Sequence, residues 1–571
     1  MIRAALICQA FTLIMLLYSP TARAADLVVN STADEVTDDS SCTLREAVLA
    51  ANSDADGNGC VASGAYGDDR IVFAVGGLIY VIGELEVTNH LTIDGGGNVT
   101  LDAAHVNRLF AVRDPLAQAR GTASSIRFRL DGLTLQNGRT GGSQVLFGAP
   151  PIDLGNNSAR GGCIFHYGGE ASLLQIEDSV VRGCEIIAGS DSPSEGGAVF
   201  MATGSIGLPD DATPPRLVLR RSEFSDNVAR ADQTARGGAV ATAGRGSIEV
   251  EIEDVRLTGN RAEAEQSAAG GGAFLRANAL RILRTEVTFN EAKVAAVETR
   301  ASARGGGLAL ELDASTAEIA NVTLARNVAL ATAALVVRGA IDVEPLAEGG
   351  GLFAEFLDAS LIARGATALV LNNLTLIENR SDGPGGAEAS AGGIGIAGDS
   401  SIPGVVELAN TILASNTVDG LLENCRPGDP LNSLGHNLID INCGISPGVG
   451  DRIGVLPMLE DVAENGGAVP GMLSALPMLN SPALDAGNPG PVQPAGGVGA
   501  CRPFDQRGKA RPLSVVGGAV CDIGAVELES PFPTAGEVQS IPTLRLTGLL
   551  ILALIVAAFA AVRFTAMGAQ S

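Results

Sequence analysis

The chain has 571 residues, 64 of them acidic against 38 basic, for a net charge of −26, and its only lysines are Lys293 and Lys509. Binding phosphates needs a basic face, so this balance excludes nucleic acid and anionic headgroups as the main partners. Glycine supplies 73 residues, aromatics 4% and tryptophan none, which suits a narrow core layered with Val, Ile, Leu and Ala.

In chain order, residues 1–24 read as a secretory signal. Arg3 carries the charge, Ala4 to Tyr18 forms the apolar stretch, and Ala22-Arg23-Ala24 is the small-x-small cleavage site ending at Ala24. The apolar run stops at Pro20 and is too short for a membrane anchor.

Residues 25–69 are expected to form an N-terminal cap. Leu27-Val28-Val29 alternates as a strand would, and Thr43 and Glu46 have capping-box spacing, Thr43 as N-cap. The spacing predicts a helix running to about Asn52, with Leu44, Val48 and Leu49 on one side. Cys42-Thr43-Leu44-Arg45-Glu46-Ala47 resembles the CSLREA-type N-terminal domain of exported bacterial proteins, with Thr43 in place of the family's Ser. The resemblance covers roughly residues 26–60.

Residues 70–430 carry repeats. Leu85-Glu86-Val87 and Leu91-Thr92-Ile93-Asp94-Gly95 read as first coils. Glycine doublets then recur at Gly161-Gly162, Gly196-Gly197, Gly237-Gly238, Gly271-Gly272, Gly305-Gly306, Gly349-Gly350 and Gly392-Gly393, 34 to 44 residues apart. Between them lie short alternating strands closed by Asn260, Asn327, Asn379 and Asn416. Such a period signals stacked units, none of which buries its apolar face alone. The doublets mark a corner where a Cβ would clash with the next coil. The asparagines mark another, since Asn tolerates positive φ and its amide stacks on its neighbour's. Asn290, directly after Phe289, and Cys184, where Asn is expected, break the pattern, and the stretch from Ala331 to Ala347 is expected to protrude.

The predicted fold is therefore all-β: a right-handed parallel β-helix with a short N-terminal capping helix and a C-terminal hydrophobic helix. At about 4.8 Å per coil, roughly ten coils would make a rod about 50 Å long. The Gly-Gly and Phe-x-x-Asn units, with Phe224-Ser225-Asp226-Asn227 the nearest copy, are similar to those of polymorphic outer-membrane proteins.

Eight cysteines follow the signal, in local pairs: Cys42 and Cys60, Cys163 and Cys184, Cys425 and Cys443, Cys501 and Cys521. An even count in an exported chain points to disulfides, and sequence-neighbour pairing is the simplest of many connectivities. Zinc is disfavoured, because no C-x-x-C occurs and the four histidines are scattered.

From residue 408 to 528, overlapping the last coils, Asn424-Cys425, Ser433-Leu434-Gly435-His436-Asn437-Leu438, Asn465-Gly466-Gly467, Ser481-Pro482-Ala483-Leu484-Asp485, Asp505-Gln506-Arg507-Gly508, Arg511-Pro512 and Cys521-Asp522-Ile523-Gly524-Ala525-Val526-Glu527 occur in order. Together they resemble the choice-of-anchor Q domain, which implies surface localisation and brings no catalytic residues. Residues 529–540 read as a linker. In the tail, residues 541–571, Ile541-Pro542-Thr543-Leu544 precedes an apolar stretch, Leu549 to Val562, followed by Arg563. This tail resembles the IPTL-CTERM type of bacterial sorting signal, which implies delivery to the cell envelope. An ordinary membrane anchor is the alternative, although 14 apolar residues fall short of the roughly 20 a span needs.

Catalysis on such a fold needs carboxylates converging on one lateral groove. Asp68-Asp69, Glu177-Asp178, Asp210-Asp211, Asp226 and Glu253-Asp254 are the candidates, and turn roles are favoured for them over chemistry. His90 and His166 read as packed or turn residues, and His436 as a structural hydrogen-bonder. No nucleophile elbow, phosphate loop or calcium-binding repeat is written. The expected function is a non-catalytic exported cell-surface or extracellular solenoid, for adhesion or envelope structure. Its partners would be a surface ligand, glycan or protein, and the membrane through its tail, with no cofactor. The alternatives are a β-helix carbohydrate-active enzyme, a polysaccharide lyase or hydrolase, and a calcium-dependent scaffold.

Overall fold

A computed structural model describes residues 24–113, 125–141, 159–189, 192–203, 213–244, 248–296, 301–333, 346–357, 369–384, 387–397, 406–493, 497–512 and 520–529. Two compact units divide the chain, Met1–Leu528 and Glu529–Ser571. The signal before Ala24, the pair Asp210-Asp211, most of the stretch from Ala331 to Ala347, the motif Ile541, Pro542, Thr543 and Leu544, and the expected C-terminal helix lie outside the described residues. Among the described residues no helix is long and apolar enough to cross a membrane.

The first unit is nearly all β, and its strands stack in long parallel sheets as in a β-solenoid. Each regular coil contributes five short strands, and each strand pairs with its counterparts in the coils before and after. The first ladder, after the glycine corner, includes Ile164–Gly168, Val199–Thr203 and Val240–Gly244. The second includes Leu173–Glu177, Arg216–Arg220 and Glu249–Glu253. The third includes Val180–Arg182, Glu223–Ser225 and Arg256–Thr258. The fourth runs from Arg139–Gly141 to Thr417–Val418, and the fifth from Ala159–Arg160 to Glu388–Ser390. Two longer strands, Ala273–Leu283 and Leu308–Ala320, serve the first and second ladders at once.

Strict alternation makes this possible. In Glu249–Glu253, Val250 and Ile252 point inward while the three glutamates point out. One continuous apolar core runs from Leu27 to Ile445, and each fully buried Val, Leu or Ile in it contributes about 1.5–3 kcal/mol. Where the fourth and fifth ladders close on each other the space is narrower. It is filled by Ala229, Ala262, Ala268, Ala292, Ala303 and their neighbours, which accounts for the scarcity of aromatics.

The glycine corner sits one residue out of register with the doublets in two repeats. The left-handed residue is Gly196 (φ +70°) or Gly237 (φ +64°), but it is Gly270 ahead of Gly271-Gly272 and Ala391 ahead of Gly392-Gly393. The residue after it leaves no room for a side chain: a Cβ on Gly238 would lie 2.0 Å from the Gly271 carbonyl oxygen.

Asparagine does not supply positive φ at the other corner. The left-handed residues there are the ones before it: Gly259, Phe289, Arg326, Glu378 and Ser415. Asn290 is a regular member of the row and no exception.

The helix α1 spans Leu44–Ser53. Its first turn is closed by the Glu46 N–H donating to Thr43 Oγ1 at 3.2 Å and the Thr43 N–H donating to Glu46 Oε2 at 2.9 Å. It buries Leu44, Ala47, Val48 and Ala51 against the strands Ala24–Val29, Ala65–Phe73 and Leu85–Val87. Leu49, assigned to the apolar side from the sequence, faces solvent.

Candidate functional site

The asparagine row is a hydrogen-bonded ladder inside the unit. Asn227, Asn260, Asn290, Asn327, Asn379 and Asn416 are all fully buried. Each Oδ1 from Asn260 to Asn416 accepts both the backbone N–H and the Nδ2 of the preceding member, as in Asn260 to Asn290 at 3.0 Å for each bond. Each Nδ2 also donates to the carbonyl three residues before the preceding coil's ladder position, as Asn290 does to Leu257 at 2.9 Å. Asn424 ends the row, donating to Asp440 at 2.8 Å. A buried amide tolerates no unmet partner, so this row fixes the register of the coils.

Cys184 stands at the row's other end. Its N–H donates to Asn227 Oδ1 at 3.0 Å, and its sulfur is bonded to Cys163 beside the glycine corner. In later coils the same place is filled by Gly272 against Asn290 and Gly307 against Asn327. Four disulfides join the sequence neighbours Cys42–Cys60, Cys163–Cys184, Cys425–Cys443 and Cys501–Cys521.

On the flank, the region from Leu473 to Leu528 lies back along the coils. Gln506 accepts from Thr323 at 2.5 Å, Ala525 N–H donates to Thr375 at 3.0 Å, and Gly524 N–H donates to the Asn410 carbonyl at 2.8 Å. Asn373 Oδ1 accepts the Arg502 N–H at 3.0 Å, and Leu473 N–H reaches the buried Glu286 at 2.7 Å. The region is held by an ionic knot. Arg511 and Glu527 pair at 2.8 Å with both side chains fully buried, and Arg507 pairs with Asp505 at 2.8 Å. Asp522 accepts the N–H groups of Asp485 and Leu528 at 2.7 Å, and burial beside Glu527 raises its pKa.

Between this region and the outward row of the second ladder is a cavity of about 450 Å³. Arg216, Glu249, Glu251, Arg281 and Glu318 line one side, with Gln493 and Val498 on the other. Its carboxylates meet guanidinium groups: Glu249 and Glu251 each lie 3.3 Å from Arg216, Glu251 lies 2.6 Å from Arg220, and Glu318 pairs with Arg502.

The outer face of the glycine corner carries a second charged surface. Arg108, Arg160, Arg236 and Arg304 lie over the rings of Phe165, Phe200, Phe274 and Phe353, at 4.8 to 5.2 Å from the centroids. Glu195 takes Arg160 and Arg236, and Glu348 takes Arg426 at 3.1 Å. Burial raises the pKa values of Glu311, Glu348 and Asp429, and Glu311 stacks directly on Glu355 of the next coil. No local pattern in the chain announces this group, whose members lie far apart along it.

The carboxylates singled out from sequence are scattered. Asp68 pairs with Arg127 at 2.6 Å, while Asp178 and Asp254 occupy left-handed corners and each lie 2.7 Å from an arginine, Arg221 and Arg284. Asp226 occupies the left-handed corner before Asn227. His90 Nδ1 accepts from the Arg127 N–H at 3.2 Å, and His436 Nδ1 lies 3.0 Å from the Ala486 carbonyl. His166 points into the core, with neither ring nitrogen hydrogen-bonded, and burial pushes its pKa down to about 3. Among the described residues no group of three His, Cys, Asp or Glu is placed to hold a metal ion.

The chain matches no known family and no curated protein.

Proposed function

We propose that this is a non-catalytic exported protein of the cell surface or extracellular space, a right-handed β-helix serving adhesion or envelope structure. In this reading α1 caps the first coils as a CSLREA-type domain, the flank region is a choice-of-anchor Q domain, and the tail is an IPTL-CTERM sorting signal. The supporting observation is the set of four disulfides between sequence neighbours, a pattern that forms and persists in oxidising compartments. The arginine pairing of the flank carboxylates fits a structural surface better than a catalytic one. The test is fractionation of the expressing cell with mass spectrometry of both mature termini. A product starting at Ala25 in the envelope or medium supports the reading; a cytoplasmic product with reduced cysteines sinks it.

A second reading, a carbohydrate-active enzyme, rests on Glu311, Glu348 and Asp429, whose raised pKa values suit a general acid. It requires polysaccharide cleavage that Glu348→Gln abolishes while the melting curve stays unchanged.

A further inference from the structure

The third ladder is open at both ends. It begins with Gly77–Tyr80, which pairs on one edge with Val99–Asp102, and ends with Arg452–Ile453, which pairs on one edge with Leu438–Ile439. Among the described residues nothing pairs with the other edge of either strand. The helix α1 packs on strands of the first and second ladders and leaves Gly77–Tyr80 uncovered.

Both open ends are apolar. Leu78 and Tyr80 alternate along the first strand, with Tyr80 56% exposed; beyond it the Ile82 N–H and carbonyl are taken by Asp34 and Arg45. At the other end Leu456 and Met458 follow directly after Arg452–Ile453, with Leu456 64% exposed. Met478 and Leu479 join them, because the Met478 N–H donates to the Met458 carbonyl at 2.9 Å and brings the two segments side by side. Neither Phe73 to Gly83 nor Ile453 to Leu459 contains a charged residue. Exposed edges in soluble proteins are normally guarded by lysine or inward charges, and an unguarded apolar edge is a template for pairing.

The partner is constrained by charge. Two copies with a net charge of −26 each repel when they approach side by side. At the ends the nearest charges come in opposite signs, Asp451 and Arg452 at one and the ion-paired Asp34 and Arg45 at the other, so that repulsion is weakest there. The two ends are also opposite edges of one parallel ladder, so they are complementary to each other in strand direction, and neither is complementary to itself.

We propose that the chain binds a second copy of itself head to tail, the strand Arg452–Ile453 and the following apolar segment of one copy pairing with Gly77–Tyr80 of the next. Such a contact is heterologous and propagates into a linear array. The inference rests on the stacking of the coils and stands whether or not the protein is exported.

Sedimentation equilibrium of the full chain in detergent tests it, with two variants. Leu78→Glu/Tyr80→Glu blocks one end and Leu456→Glu/Met458→Glu the other; all four residues are exposed, so both variants fold. The wild type is expected to grow in mass with concentration beyond a dimer, and each variant alone to stay a monomer. An equimolar mixture of the two is expected to form dimers and stop there, since each retains one competent end. A wild type that stays monomeric, a variant that still dimerises by itself, or association untouched by both variants, as the apolar tail would produce, each overturns the proposal.

Discussion

Asn290 donates through both its backbone N–H and its Nδ2 to a single acceptor, Oδ1 of Asn327, at 3.1 and 3.0 Å. Asn327 in turn donates to the Val287 carbonyl at 2.8 Å. One side chain therefore satisfies three buried polar groups of the preceding coil. Asn327→Ala leaves them orphaned, and each unmet group costs about 1–3 kcal/mol. The expected outcome is a loss of about 3 kcal/mol or more, read as a lowered urea midpoint. Asn→Asp at the same position is expected to be as harmful, since it removes the Nδ2 donor and buries a charge.

The two kinds of glycine separate crowding from backbone strain. Gly238→Ala drives a methyl to 2.0 Å from a carbonyl oxygen and 2.4 Å from the Arg261 nitrogen, so the coils must part there. It is expected to yield little folded protein. Gly96 has φ +57° with nothing within 4 Å of an added Cβ, so Gly96→Ala is expected to cost only the left-handed strain, about 1–2 kcal/mol. Thermal melts of the two variants, compared with the wild type, decide it.

The fold was readable because its signals are local and periodic. Val250 and Ile252 alternate with glutamates, and cysteines 18 to 21 residues apart pair with their sequence neighbours. The corner chemistry was less readable. Left-handed backbone at Phe289, Arg326 and Glu378 costs about 1–2 kcal/mol per residue and falls on residue types that do not favour it, so nothing local betrays it. The buried amide that follows fixes the corner. The flank region was recognisable as ordered motifs, but its position was not. Thr323 and Gln506 are 183 residues apart, and no local pattern announces such a pairing.

His166 makes the stability of the unit depend on acid. Its folded pKa, about 3, lies below the ordinary 6.5, so the native state holds the ring neutral while the unfolded chain protonates it. Above pH 6.5 both states carry a neutral ring and nothing is lost. As pH falls from 6.5 toward 3 the unfolded state binds the extra proton, and stability falls by up to about 4–5 kcal/mol. His166→Leu is expected to flatten this part of the curve of urea midpoint against pH. An unchanged slope would show that His166 is not buried in a neutral state.

The flank region is expected to stand or fall with one arginine. Arg511 donates to Glu527 at 2.8 Å and to the carbonyls of Asp522 and Gly524 at 3.0 and 2.8 Å, all within a buried setting that also holds the Asp522 carboxylate. Removing the guanidinium leaves two buried carboxylates facing each other with no cation, a loss of about 3–5 kcal/mol for a broken buried pair. The coils have their own core and amide ladder, so Arg511→Leu is expected to loosen residues 473–528 while the ladder persists. Limited proteolysis should then cut first within this region, leaving a protected fragment that still contains Asn227 to Asn416. Arg511→Lys is expected to rescue only in part, because one ammonium cannot reproduce the planar fork that reaches Glu527 and both carbonyls. Cleavage that begins within the repeats would mean the flank region holds the coils together instead of resting on them.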